Sequence, residues 1–365
     1  MNMGFDVEMA LTRDGVAHPA SLVLPIQDGP SVYGGWKVYP DGFNLEVGSS
    51  GVGMCMAYTL DTVAKGIARS LEWGKENGWG VEARDCVPIC TEALPYWPPE
   101  AVISGCNPTM DAFDGGRQVP VFASPWEYRE SLVKYGTCCG AHLHFQVGRL
   151  KKEEVVALVK AVVKSALATS TLMAWDSSSA KRFKVLGVGK FRYKEDRGIL
   201  EFKDFGSNIL RSHWNMATAM WLTRNIINGY RCRALDLRLF DEIPDKDAME
   251  AYTSVRKIRA IHDFAAEALK GRSLGRANFY SDRTLFETAA STPDFRETNT
   301  KKMKHLASFY GEKWEAWFNI KDLIEFAIKR KEKRNMHNAW MLWLKQMHCR
   351  GAESGLAKHY LRYAQ

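Results

Sequence analysis

Residues 5–11, Phe-Asp-Val-Glu-Met-Ala-Leu, alternate with a period of two, and this pattern constrains the fold more than any other in the chain. Successive side chains of a strand point to opposite faces, so Asp6 and Glu8 share one face while Phe5, Val7 and Met9 share the other. The same construction returns three times. Phe43-Asn44-Leu45-Glu46-Val47 sets Asn44 and Glu46 opposite the apolar residues, Ala141–Val147 sets His142, His144 and Gln146 on one face, and Gly198–Phe205 sets Glu201 and Lys203 opposite Leu200 and Phe202. Four strands with one apolar face each can bury those faces in one antiparallel sheet backed by helices. Helices are expected over Met54–Asn77, ended by Gly78, over Lys151–Met173, where Val155, Val159, Val162 and Val163 form the apolar stripe, and over Asn208–Tyr230. Residues 183–189 and 191–194 read as further strands, the prolines of 17–25 as an extended edge, and the Pro-, Gly- and Trp-rich stretch 85–127 as irregular structure folding over a site.

In one sheet the polar faces would bring Asp6, Glu8, Glu46, His142, His144, Glu201 and Lys203 onto a single surface. Carboxylates crowded together repel unless a hard cation neutralises them, and Mg2+ favours oxygen ligands together with phosphate. Arg192 and Arg197, just ahead of the Glu201 strand, can hold phosphate oxygens through forked hydrogen bonds. The combination suggests phosphoryl transfer, in which catalysis is mostly positioning and charge neutralisation. The exposed face of an ordinary half-buried sheet is also polar, so the pattern alone leaves that reading open. The chain has no GxxxxGK[ST] loop, no GxGxxG turn after a strand and no GxSxG elbow.

Four stretches, in order, resemble motifs of one family: Gly4-Phe5-Asp6-Val7-Glu8, Asp41–Val47, Cys139-Gly140-Ala141-His142-Leu143-His144, and Phe191-Arg192-Tyr193 leading into Gly198–Lys203. The set resembles the phage-encoded COOH–NH2 ligases of the glutamine synthetase/glutamate–cysteine ligase superfamily and covers roughly residues 4–230. The resemblance implies an α+β fold: a curved antiparallel sheet of the glutamine synthetase catalytic-domain type, flanked by helices. It implies a ligase domain over 1–244 that uses ATP and Mg2+, with Mn2+ as an alternative, to join a carboxylate substrate such as an amino acid to an amine. By motif position Asp6, Glu8, Glu46, His142 and Glu201 would hold metal. Glu8, Glu46, Arg192 and Glu201 would be catalytic, and His144, Arg192, Arg197 and Lys203 would face the nucleotide. Lys203 stands where many relatives carry arginine, which keeps the charge and loses the fork. Other readings are a non-catalytic relative that binds nucleotide or nucleic acid in a phage assembly, and a kinase that stops at the phosphorylated carboxylate.

The net charge of +8 is a property of the end of the chain: from Lys301 onward there are 14 Lys and Arg against 6 Asp and Glu, and the first 300 residues balance. Residues 245–365 are expected to be helical. Their run Lys329-Arg330-Lys331 and Lys333-Arg334 is either a solvated helix face or a polyanion-binding surface for nucleic acid. Trp314, Trp317, Trp340 and Trp343 fall at helical spacing and read as core packing rather than a sugar- or base-stacking surface, the C-terminal segment as a whole could serve packing, homo-oligomerisation or substrate capture, and His213, His262, His305, His337 and His348 read as ordinary. Eight cysteines, with Cys86 and Cys90 four apart and Cys138 beside Cys139, fit no paired C-x2-C zinc site and are expected to be reduced, Cys139 as a packed thiol. No uninterrupted apolar run approaches the roughly 20 residues of a membrane helix. The opening MNMGFDVEMALTRDG lacks a signal-peptide pattern, so a cytoplasmic protein, in an infected bacterial host on the family resemblance, is expected.

Overall fold

The computed structural model describes residues 2–29, 35–49, 56–104, 109–211 and 213–269. The strands are β1 (Met3–Arg13), β2 (Val16–His18), β3 (Gln27–Gly29), β4 (Trp36–Asp41), β5 (Asn44–Ser49), β6 (Gly80–Glu82), β7 (Cys86–Val87), β8 (Thr109–Asp111), β9 (Arg117–Val119), β10 (Thr137–Cys138), β11 (Ala141–Gln146), β12 (Lys190–Lys194) and β13 (Ile199–Phe202). Among the described residues eleven of them form one antiparallel sheet, in the order β3-β4-β5-β1-β11-β13-β12-β8-β9, with β2 and β6 on the far half of β1; β7 and β10 form a separate ladder. Strand β1 is central because it is long. Residues 6–9 pair with β5, residues 3–7 with β11, and residues 10–13 with β2 and β6.

The odd-numbered face of β1 makes the main core. Phe5, Val7, Leu45, Val47, Leu143, Phe145, Leu200 and Phe202 are all withdrawn from water, each contributing about 1.5–3 kcal/mol of apolar burial. They pack against α1 (Met56–Asn77) and a helical layer. In that layer α3 (Lys152–Val162) continues through a π-helical turn at Val163–Leu167 into α4 (Ala168–Ala174), beside α6 (His213–Arg231), α7 (Asp245–Ala251) and α8 (Val255–Leu269). Ala248, Tyr252, Ile258, Ile261 and Leu269 share this core, so the described residues show no break at residue 244.

The run Lys152–Ala174 is long and apolar enough to cross a membrane, but 83% of it is buried inside the fold. Its Lys164 ammonium donates to the carbonyls of Phe240 and Ile243 and to Asp245 Oδ1 at 2.8 Å. These partners satisfy a fully buried cation, as a core helix requires.

The opposite face carries a second, smaller core. Ala10 of β1 meets Val87, Ile89, Leu94, Trp97, Val102, Tyr128 and Leu132 there. The stretch 85–104 therefore does fold over the acid-bearing face, joined by α2 (Pro125–Tyr135). That helix has its signals in plain sight: Ser124 accepts from Glu127 N, Pro125 stands at the first turn, and Gly136 ends it at φ 86°.

One expected strand is wrong. Phe183–Leu186 is the last turn of α5 (Ser179–Leu186), where Ser179, Arg182 and Phe183 fall on one buried helical face and Gly187 terminates it at φ 71°. The edge segment after β2 is likewise broken by a 3-10 turn at Ala20–Leu22. The basic run 329–334, Trp314, Trp317, Trp340, Trp343, His305, His337, His348, Cys55, Cys106 and Cys349 lie outside the described residues.

Candidate metal centre

Antiparallel register lines the polar residues up across six neighbouring strands. Glu8 stands directly opposite Glu46, and Tyr39 opposite Glu46 on its other side. Asp6 pairs with His142, His144 with Glu201, and Glu201 with Arg192. The surface thus runs from acids on β4, β5 and β1, through the two histidines of β11, to Glu201 and the cations of β13 and β12. Asp6, Glu8, Glu46, His142, His144, Arg192, Glu201 and Lys203 are all brought to it.

Glu8, Glu46 and His142 each offer a ligand atom, and these atoms lie within 4.8 Å of one another. All three side chains are buried. Burial pushes the Glu8 carboxyl up, with Asp41 adding to it, while the Gly140 N–H, Lys203 and Arg182 oppose it. Burial drives Glu46 well above the carboxylate range, reinforced by Asp6, Glu8 and Asp41. Asp6 is raised as well, by burial first and by Glu201, against the pull of His144. His142 is held well below the ordinary imidazole value, by burial first and then by Lys203, so it is neutral and free to donate a lone pair. Buried carboxylates that repel one another beside a neutral imidazole form a group that could hold a cation. Two oxygens and one nitrogen suit Mn2+ as well as Mg2+.

Glu201 behaves differently. Burial favours its neutral form, but the cations beside it, Lys203 and Arg192, outweigh burial and hold it down at about 2. Lys203 Nζ lies 3.4 Å from Glu201 Oε1 and Arg192 Nη1 3.3 Å from Oε2. His142 Nδ1 stands 3.8 Å from the same carboxylate, and His144 Nε2 lies 3.3 Å from Asp6 Oδ2 and 4.0 Å from Glu201 Oε1. Lys203 is 6% exposed, so it is committed to Glu201 and not to solvent. Arg192 is the half-exposed cation of the group, with 32% of its side chain open to solvent. Arg197 is not brought to the cluster: it lies on the turn between β12 and β13, 70% exposed, with Asp196 at 3.5 Å.

The surroundings fix these groups tightly. The Gly140 N–H donates to Glu8 Oε2 at 2.6 Å, and its carbonyl accepts from Glu8 N at 2.7 Å. A methyl at Gly140 would stand 2.9 Å from His142 Nε2 and 3.3 Å from Glu8 Oε2, so any side chain there would displace the ligand group. Asn44, on the polar face of β5, donates to the Cys138 carbonyl at 2.9 Å and accepts from Thr137 Oγ1 at 2.6 Å. Beside Glu8 lies a narrow cleft lined by Asp41, Asn44, Ser104, Tyr128, Ser131 and Cys138.

Three residues were not singled out by their sequence pattern. Tyr39 donates its hydroxyl to Glu46, and Asp41 adds charge near Glu8 and Glu46. Both follow Lys37 at period two on β4, so alternation alone would have assigned them to the acid face. Arg182 is fully buried in α5 and donates to the carbonyls of Cys139, Asp204 and Lys203 at 3.2, 2.6 and 2.9 Å. It ties the residue before Gly140 to Lys203 itself, and no local pattern marks it. His262, read from the sequence as ordinary, is a buried residue of α8, 3.1 Å from Thr169 Oγ1. No protein-family model and no curated protein matches the chain.

Proposed function

We propose that this chain is an ATP- and Mg2+-dependent carboxylate–amine ligase built on a glutamine synthetase-type catalytic sheet. The observation that carries the reading is the ordered polarity of one face. A buried Glu8–Glu46–His142 ligand set within 4.8 Å borders, through Glu201, on the cations Lys203 and Arg192. Such a surface suits a bound polyphosphate with its metal on one side and its oxygens on the other.

Glu8, Glu46 and His142 would hold a divalent ion, which would supply Lewis-acid neutralisation of phosphate charge. The chain's own residues do the rest. Arg192, the half-exposed cation, presents a fork to phosphate oxygens while Glu201 orients it. Lys203 keeps Glu201 ionised. Gly140 holds the Glu8 carboxylate through its N–H, and the layer over 85–104 excludes water from the acid face. In the reaction the γ-phosphoryl group of ATP passes to a substrate carboxylate oxygen, releasing ADP. The amine nitrogen then attacks the acyl carbon, phosphate leaves with the C–O electron pair, and a proton is lost as the amide forms. The cleft bounded by Asp41 and Glu8 favours a cationic or polar substrate group at the amine side.

The test is ADP release by the full-length chain, with Mg2+ or Mn2+, against pooled carboxylates and amines, with mass spectrometry of the products. A ligase releases ADP only with an acid present and yields an adduct lighter than acid plus amine by one water. ADP release independent of any acid, or no turnover with any pool, counts against the proposal.

A further inference from the structure

We propose that Cys86 and Cys138 form a reversible redox-modification site, oxidised to a disulfide by a low-molecular-weight disulfide. The two residues stand 52 positions apart in the chain, yet they face each other directly across the β7–β10 ladder. Their sulfurs are 3.0 Å apart. Directly opposed antiparallel residues have Cα atoms about 4.5–5.5 Å apart, inside the range that a disulfide bridges without backbone movement. A rotation of either side chain therefore suffices to close the bond.

The two thiols are not equivalent. Cys138 is half-buried and lines the cleft beside Glu8, so a small oxidant reaches it first. Cys86 is 4% exposed and faces Cys138 directly across the ladder, so it is placed for the second step, in which only the neighbouring sulfur is within reach. In the first step Cys138 loses its proton and attacks one sulfur of the small disulfide. A mixed disulfide forms and one small thiol leaves. Cys86 then loses its proton and attacks the Cys138 sulfur, forming the Cys86–Cys138 bond and expelling the second small thiol. Two protein thiols are oxidised by two electrons, and one small disulfide is reduced to two thiols.

The position gives the modification a route to the metal centre. The Cys138 carbonyl accepts from Asn44, and two residues on the Gly140 N–H holds Glu8. On the other strand Asp85 accepts from Asn208 N at 2.8 Å, and its carbonyl accepts from Cys139 N. The site does not depend on the ligase reading, because both the pair and its test are independent of turnover.

The experiment treats the full-length chain with oxidised glutathione, alkylates the remaining thiols, digests without reduction and maps the peptides by mass spectrometry. The expected product is a Cys86–Cys138 linked peptide that dithiothreitol abolishes. Cys86→Ser should instead trap one glutathione on Cys138, and Cys138→Ser should leave Cys86 unmodified. The proposal is overturned if both cysteines of the wild-type protein are recovered alkylated under conditions that glutathionylate the exposed Cys232. Linkage of Cys138 to Cys90 or Cys139 in place of Cys86 overturns it equally.

Discussion

Replacing Glu46 with glutamine should stabilise the metal-free protein while removing its response to metal. Glu46 and Glu8 stand within 4.8 Å of one another, and two full charges at that separation repel by about 3 kcal/mol at the effective dielectric of about 20 that suits buried sites. The amide also forfeits the extra strength of a hydrogen bond from Tyr39 to a charged acceptor, about 1 kcal/mol. The net gain is about 2 kcal/mol, which for a domain of this size raises Tm by about 4–8 °C. Its pH dependence follows from the direction of the shift. The folded-state pKa of Glu46 lies well above the ordinary glutamate value of 4.5, so the wild-type protein loses stability as pH rises from there towards the folded value. Glutamine does not titrate, so the gap is absent in acid, opens through that window and is full above it. Metal reverses the order, because an ion at one hundred times its Kd adds about 2.7 kcal/mol to the wild-type protein and much less to a variant lacking a ligand. Thermal melts at about pH 5, 7 and 9, in chelator and in Mn2+, measure all three effects. A variant that melts below the wild type in chelator at high pH, or that shares its full Mn2+ shift, would refute the reasoning.

Other expectations follow from the same contacts. Glu8→Gln and Glu201→Gln should each lower ligase turnover at least ~100-fold, as loss of an electrostatic stabiliser does, with circular dichroism unchanged. Lys203→Met removes the cation 3.4 Å from Glu201, whose pKa should then rise from about 2 and carry the acid limb of the pH–activity profile to higher pH. Arg182→Met strands three buried carbonyls and should cost about 3–5 kcal/mol in urea denaturation. Gly140→Ala puts a methyl 2.9 Å from His142 Nε2, and calorimetric titration with Mn2+ should show binding lost although the fold persists.

The strand faces were legible because period two is a local property: once residues 5–11 alternate, the placement of Asp6 and Glu8 follows whatever the partner strands are. The sheet order was not legible, yet it decides that Glu8 faces Glu46 while Glu201 faces Arg192. Helix α3 announced itself by its valine stripe and α1 by the glycines that end it. The Phe183–Leu186 turn did not, because its apolar run is too short to separate strand from helix by periodicity. Arg182 and the Cys86–Cys138 pair were invisible for a different reason. Both act through partners that are near only in the folded chain, and Cys86 reads locally as the neighbour of Cys90.

The family resemblance would make Asp6, Glu8, Glu46, His142 and Glu201 one set of ligands, but the carboxylates among them sit in different electrostatic surroundings. Glu201 already has its charge matched by Lys203 and Arg192 and ionises readily. At Glu8 burial and Asp41 outweigh the pull of Lys203 and Arg182, and at Glu46 burial is reinforced by Asp6, Glu8 and Asp41, so both carboxyls resist ionisation. A cation arriving at this face therefore gains most at the Glu8–Glu46–His142 corner, where it displaces protons and relieves repulsion together. At Glu201 it would compete with two cations already in place. The division also bears on Lys203, whose ammonium lies 3.4 Å from Glu201 Oε1. A compact ammonium in a buried position satisfies one carboxylate at short range, which leaves the guanidinium of Arg192, the more exposed of the two, to reach outward to an anion.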